Sequence, residues 1–176
     1  MKHALVATAV FVLAAAPAFA QATPKPVSST DETFMLNTAK AGMAEVELGK
    51  LAAQNASSDS VKKFGQRMVD DHSKGNDELK TLAASKNVVL PSEVDAQDKA
   101  MKDKMAAMKG EAFDREYSAM MVGGHTKVVE SFRTEAKSGQ DADLKAWVTK
   151  TLPAIEAHLK LAQDTNRAVG TAGVKK

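Results

Sequence analysis

Cysteine is absent from all 176 residues. No disulfide can brace the chain, no Cys–His nucleophile can form, and a lipid-anchored lipoprotein is excluded. Charge of either sign is not in excess: 24 Lys and Arg face 22 Asp and Glu, a net +2. Nothing therefore marks a nucleic-acid binder or a polybasic membrane binder. Beyond the N-terminus, no apolar run approaches the ~20 residues of a spanning helix, so no transmembrane segment is expected in the mature chain. Strands of alternating apolar and polar residues are missing, which argues against an outer-membrane barrel. Glycine-rich phosphate loops and Ser–His–Asp patterns are also missing. What remains must fold on a helical core, or on such a core plus a ligand.

The first residues carry a clear signal. Met1-Lys2-His3 is a short basic head, Ala4 to Ala16 is apolar, and small residues stand at Ala18 and Ala20. These are the three parts of a secretory signal peptide, with cleavage expected after Ala20. The expectation is an exported protein of a Gram-negative-type envelope, in the periplasm, with the periphery of the outer membrane as the alternative. Residues 21–28 (QATPKPVS) read as a flexible linker.

Residues 29–168 read as one all-α domain. Ser29 with Glu32 resembles a capping box and opens a helix to about Gln54. A second helix is expected from Asp59 to Ser85, broken by Asn87 to Pro91. Ser92 to Lys109 is a short helical stretch closed by Gly110, in which Met101, Met105 and Met108 form a packing face. A third long helix covers Glu111 to Lys137. A fourth, capped by Asp141, carries Leu144, Val148, Leu152, Ile155 and Leu159, with a kink expected at Pro153. Beyond Asn166 the chain should fray, with 169–176 a disordered tail. Two tight hairpins joined by one long connection make a four-helix bundle with a single crossover, the ferritin-like arrangement. About eighteen helical residues at ~1.5 Å each let the connection span the bundle's height.

Three histidines remain after the signal peptide: His72, His125 and His158, one on each of three long helices. Each sits on its helix's apolar stripe, and counting from the turns places them within about a turn and a half of one another. Glu45 lies at a comparable level on the first helix. Imidazoles with a carboxylate are a competent shell for one divalent Zn, Fe, Mn or Cu ion. Glu47 and Asp71 are second choices; Asp70-Asp71 reads mainly as a solvated face. Gly123-Gly124 can admit a close neighbour before His125. The same four residues also suit a buried hydrogen-bonded network that fixes helix register, and the residues alone lean toward that reading. Asp71-His72 and Glu156-x-His158 lack the Glu-x-x-His spacing of di-iron bundles, so a ferroxidase-type centre is not expected.

Ala44-Glu45-Val46-Glu47-Leu48-Gly49-Lys50-Leu51-Ala52, Phe64 through His72 (FGQRMVDDH), Phe113-Asp114-Arg115-Glu116-Tyr117 with His125, and Thr151-Leu152-Pro153 with His158-Leu159 together resemble a known family. It is the secreted bacterial domain of unknown function 4142, often labelled "predicted outer membrane protein" and grouped with ferritin-like folds. The resemblance covers essentially the whole mature chain. It implies export, a ferritin-like bundle, and that Glu45 and the three histidines belong to the family pattern. It implies no established activity. The function expected is therefore a periplasmic binding or envelope protein, more a binder than an enzyme. A redox or oxygen-handling enzyme and a purely structural interaction module are the alternatives, and its protein partners cannot be read.

Overall fold

A computed structural model describes residues 26–172 of the chain. The expected signal peptide, most of the expected linker and the last residues of the expected tail lie outside the described residues. Five helices follow one another: α1 (Ser29–Asn55), α2 (Asp59–Ser85), α3 (Ala96–Ala106), α4 (Gly110–Ser138) and α5 (Ala142–Ala172), with no strand among the described residues. No described helix is long and apolar enough to cross a membrane.

The helix ends follow local chemistry. The Ser28 hydroxyl, not that of Ser29, caps α1 by accepting from the Asp31 N–H at 3.1 Å. Helix α2 stops where Asn87 takes a left-handed φ of 58°. There the Asn87 N–H donates to the Ala84 carbonyl and the Val88 N–H to the Ala83 carbonyl, a Schellman closure. Asp95 caps α3 through the N–H groups of Gln97 and Asp98. The crossover helix is thus shorter than Ser92–Lys109. Gly110, expected to close that helix, instead begins α4 at φ 61°. Asp141 caps α5 as expected, accepting from Asp143 and Leu144. Helix α5 continues through Pro153 and past Asn166, and Val169 is buried in the core, so the tail is helical further than its sequence suggests.

Side chains at the helix ends fix the topology. The buried Asp114, near the start of α4, accepts from Ser57 and Ser58 in the α1–α2 turn at 2.5–3.2 Å. At the opposite end the buried Asp31 of α1 accepts from the Gln140 and Asp141 N–H groups in the α4–α5 turn. Lys86, after α2, pairs with Asp141 at 2.8 Å. Helices α2 and α4 therefore run parallel, and α3 carries the chain between the two hairpins. The bundle has the single crossover expected of it.

The most extensive packing is α1 on α2 and α4 on α5. A Cβ on Gly49 would meet the Gly65 carbonyl at 2.6 Å, and one on Gly65 would meet the Gly49 carbonyl at 2.9 Å. These two glycines let α1 and α2 cross backbone to backbone. The core divides into two apolar clusters. One holds Phe64, Met68, Met105, Phe113, Tyr117 and Met121, with Met101 and Met108 packed on it; the other holds Phe34, Leu79, Val129, Phe132, Leu144 and Ile155. His72 lies between Met68 and Leu79, His125 between Met121 and Val129, and His158 between Ile155 and Ala162. A polar layer thus divides an otherwise apolar core.

Candidate metal centre

The three histidines meet. Ring centroids are 5.3 Å apart for His72–His158, 5.6 Å for His125–His158 and 5.8 Å for His72–His125. One ring nitrogen of each lies within 4.8 Å of the other two. His125 and His158 are 1% and 3% exposed, and His72 is mostly buried.

Hydrogen bonds assign the proton on two of the three rings. His125 Nδ1 is 3.0 Å from the Met121 carbonyl oxygen, which can only accept, so Nδ1 carries the proton and Nε2 keeps its lone pair. His158 Nε2 is 2.8 Å from Asp71 Oδ2. Burial works to raise the Asp71 carboxyl, but Arg67 and His158 outweigh it and hold it below its usual range. An ionised Asp71 makes Nε2 the donor and frees Nδ1. His72 Nε2, His125 Nε2 and His158 Nδ1 are all buried with no hydrogen-bond partner among the described residues. Each orphan costs about 1–3 kcal/mol.

Electrostatics keep these rings neutral. Burial is the largest cause for all three. It pushes His72 down to about 3, helped by the neighbouring His158 and His125, and His125 down to about 4, against the Met121 bond. His158 also falls, burial outweighing its Asp71 partner. Neutral imidazoles are the form that binds metal.

Glu45 is placed differently from its expectation. It reaches the correct level, but the set of mutually close donor atoms comprises the three histidines without it. Its Oε1 stands 3.8 Å from His125 Nδ1, the proton-bearing side of that ring, while Oε2 has no partner among the described residues. Burial, aided by Asp98, raises its carboxyl to about 8. Gly124 faces it without crowding: a Cβ there would stand 3.8 Å from Glu45 Oε1, an ordinary contact, and one on Gly123 would meet nothing within 4 Å. Glu47 faces outward and pairs with Lys102 at 2.9 Å, away from the histidines. Asp71, read mainly as solvated, instead orients His158. Tyr117 is a core aromatic, stacked on Phe113 at 5.4 Å, and Trp147 packs at the core edge against Phe132.

Sequence reasoning missed a cavity of about 250 Å³ that opens beside the histidines and reaches toward Phe132 and Trp147. Its only sequence signal is the run of small residues at Ala41, Gly42, Gly75 and Ala154 on its wall.

Residues 16–165 match the family described as Domain of unknown function (DUF4142). The chain belongs to the DUF4142 family. No curated protein matches it. Among solved structures, this DUF4142 chain is similar to a DUF305 fragment from Deinococcus radiodurans, with a TM-score of 0.71 and 7% identity. That match covers 84% of this chain and 99% of the other. It is also similar to a putative spore coat protein from Bacillus halodurans, with a TM-score of 0.61 and 14% identity over 85% of this chain and 91% of that one. At such identities the likeness is one of fold. The DUF4142 bundle and its crossover stand on the chain's own geometry, and these likenesses do not confirm the ferritin-like label that the resemblance implied.

Proposed function

We propose that this chain is an exported binding protein that holds one divalent transition-metal ion on His72, His125 and His158. Three clustered histidines, each with a buried ring nitrogen that has no partner among the described residues, are the observation that carries this reading. A purely structural network would pair them with donors or acceptors of its own, as buried polar groups almost always are. The outer hydrogen bonds support the same reading: a ligating histidine commonly donates its other N–H to a carboxylate or a backbone carbonyl. Asp71 and Met121 provide one of each.

An ion about 2.0–2.1 Å from each nitrogen in tetrahedral geometry sets the nitrogens about 3.4 Å apart. The rings therefore have to draw inward by roughly an ångström or less from their present spacing. Three imidazoles suit Zn, Cu, Fe or Ni better than Mg or Ca, which prefer oxygen. With Glu45 outside the converging set, at least one coordination position stays free. Two metals would need bridging carboxylates that the cluster does not offer, which weighs against an oxygen-activating di-iron reading.

The test is metal content and melting temperature of untagged chain, first stripped of metal and then given Zn, Mn, Fe or Cu. The reading requires close to one ion per chain and a melting temperature that rises with metal. An ion-free protein whose melting temperature ignores all four metals removes it.

A further inference from the structure

The cavity beside the histidines is larger than a lone metal ion needs. A dry cavity of ~150 Å³ already holds benzene, and this one measures about 250 Å³. Its walls are largely apolar: Leu79 of α2, Val128 and Phe132 of α4, and Trp147 and Ile155 of α5. The three histidines also line it. Its lining also includes the exposed Asn37, Lys127 and Ser131, so the chamber reaches solvent.

A metal ion at the histidines would concentrate positive charge there. A divalent ion on three neutral imidazoles brings two positive charges into a core with apolar clusters above and below. Asp71 supplies one negative charge through the far side of His158. Glu45 also lines the chamber, 3.8 Å from His125 Nδ1, but it is not among the converging donors. A buried charge left without compensation is costly, so the free coordination position favours an anion. Lys127 on the lining favours the same sign.

We infer that this chamber binds a small monocarboxylate with an apolar body of about one ring, its carboxylate completing the metal's coordination and its body filling the space toward Phe132 and Trp147. This rests on the metal reading above. The carboxylate alone would leave most of the chamber unfilled, and an apolar body alone would leave the ion uncompensated. Both parts are needed for tight binding.

Gly75 offers a clean way to test the body's role. It lines the chamber on α2, and a Cβ there meets nothing within 4 Å. Leucine also favours helix over glycine, so Gly75→Leu fills space without threatening the fold. Calorimetry on the Zn-loaded chain would compare benzoate, acetate and benzyl alcohol. The expected result is benzoate binding at least tenfold tighter than either, with the advantage over acetate lost in Gly75→Leu at unchanged Zn stoichiometry. Toluene should also bind the metal-free chain and not metal-free Gly75→Leu. A chain that loads Zn but holds benzoate no better than acetate, or a Gly75→Leu chain that keeps the preference, overturns the chamber inference alone. A chain that takes up no metal overturns the metal reading and this one together, even if toluene binds.

Discussion

Asp71 on α2 reaches across the bundle to His158 on α5, its Oδ2 2.8 Å from Nε2, and so fixes which nitrogen of that ring faces the cluster. Asparagine at 71 keeps the size but loses the charge and can turn its amide nitrogen toward the ring. Loss of such an outer partner typically lowers metal affinity about 10–100-fold. Competition against a chelator of known affinity should show a loss of that order in Asp71→Asn, with helical content by circular dichroism unchanged. Equal affinities would mean that Asp71 does not orient a ligand.

Unpartnered histidine nitrogens in the core should lower the stability of the metal-free fold. Replacing His72 by leucine removes a buried, unpartnered nitrogen and fills similar space with apolar atoms. Relieving such an orphan is worth about 1–3 kcal/mol. The expected outcome is a metal-free melting temperature equal to or above that of the natural chain. The metal-induced rise, by contrast, should fall sharply. Differential scanning calorimetry with and without Zn separates the two effects; a lower metal-free melting temperature would count against the orphan account.

Stability of the metal-free chain should depend on pH in two opposite limbs. His72 and His125, held near 3 and 4, bind fewer protons folded than unfolded below their ordinary 6.5. Their contribution is full above about pH 6.5 and is lost as pH falls toward those folded values. Glu45, raised to about 8, binds more protons folded than unfolded. Its contribution is full below about 4.5 and is lost as pH rises through 8. Between 4.5 and 6.5 the histidines outnumber the glutamate, so stability from this cluster climbs and then falls, peaking near pH 6.5. In Glu45→Gln the decline between 6.5 and 8 should flatten relative to the natural chain in urea titrations. Parallel curves for the two proteins would show that Glu45 is not buried as described.

Much of this layout was legible in the residues, and the misses share a cause. Periodicity along one helix shows which face a side chain takes, which placed His72, His125 and His158 inward. It does not show what a neighbouring helix brings within reach. Asp71 is rotated off the apolar stripe of its own helix, and only the α2–α5 seam turns it into a partner of His158. Glu45 has the right height, yet its side chain ends on the Nδ1 side of His125. Ser28 and Ser29 are chemically equivalent caps, and Ser28 takes the role by accepting from the Asp31 N–H. Ala162, Thr165 and Val169 continue the buried stripe of α5, though Gly170 and the polar residues around them suggest fraying.

The α1–α2 crossing gives a prediction independent of any ligand. Gly49→Ala would drive a Cβ to 2.6 Å from the Gly65 carbonyl. Such overpacking costs about 1–3 kcal/mol. Gly123→Ala meets nothing and gains helix propensity of up to about 1 kcal/mol. Denaturant midpoints should therefore move in opposite directions, down for the first and up for the second.

X-ray absorption at the Zn edge tests the central claim most directly, because it counts the ligands of the bound ion. The chain loaded with one equivalent of Zn should show three imidazoles at about 2.0–2.1 Å, and the His72→Ala, His125→Ala, His158→Ala triple variant should retain no tightly bound Zn. A shell of oxygens without imidazole, or Zn held equally well by the triple variant, would contradict it.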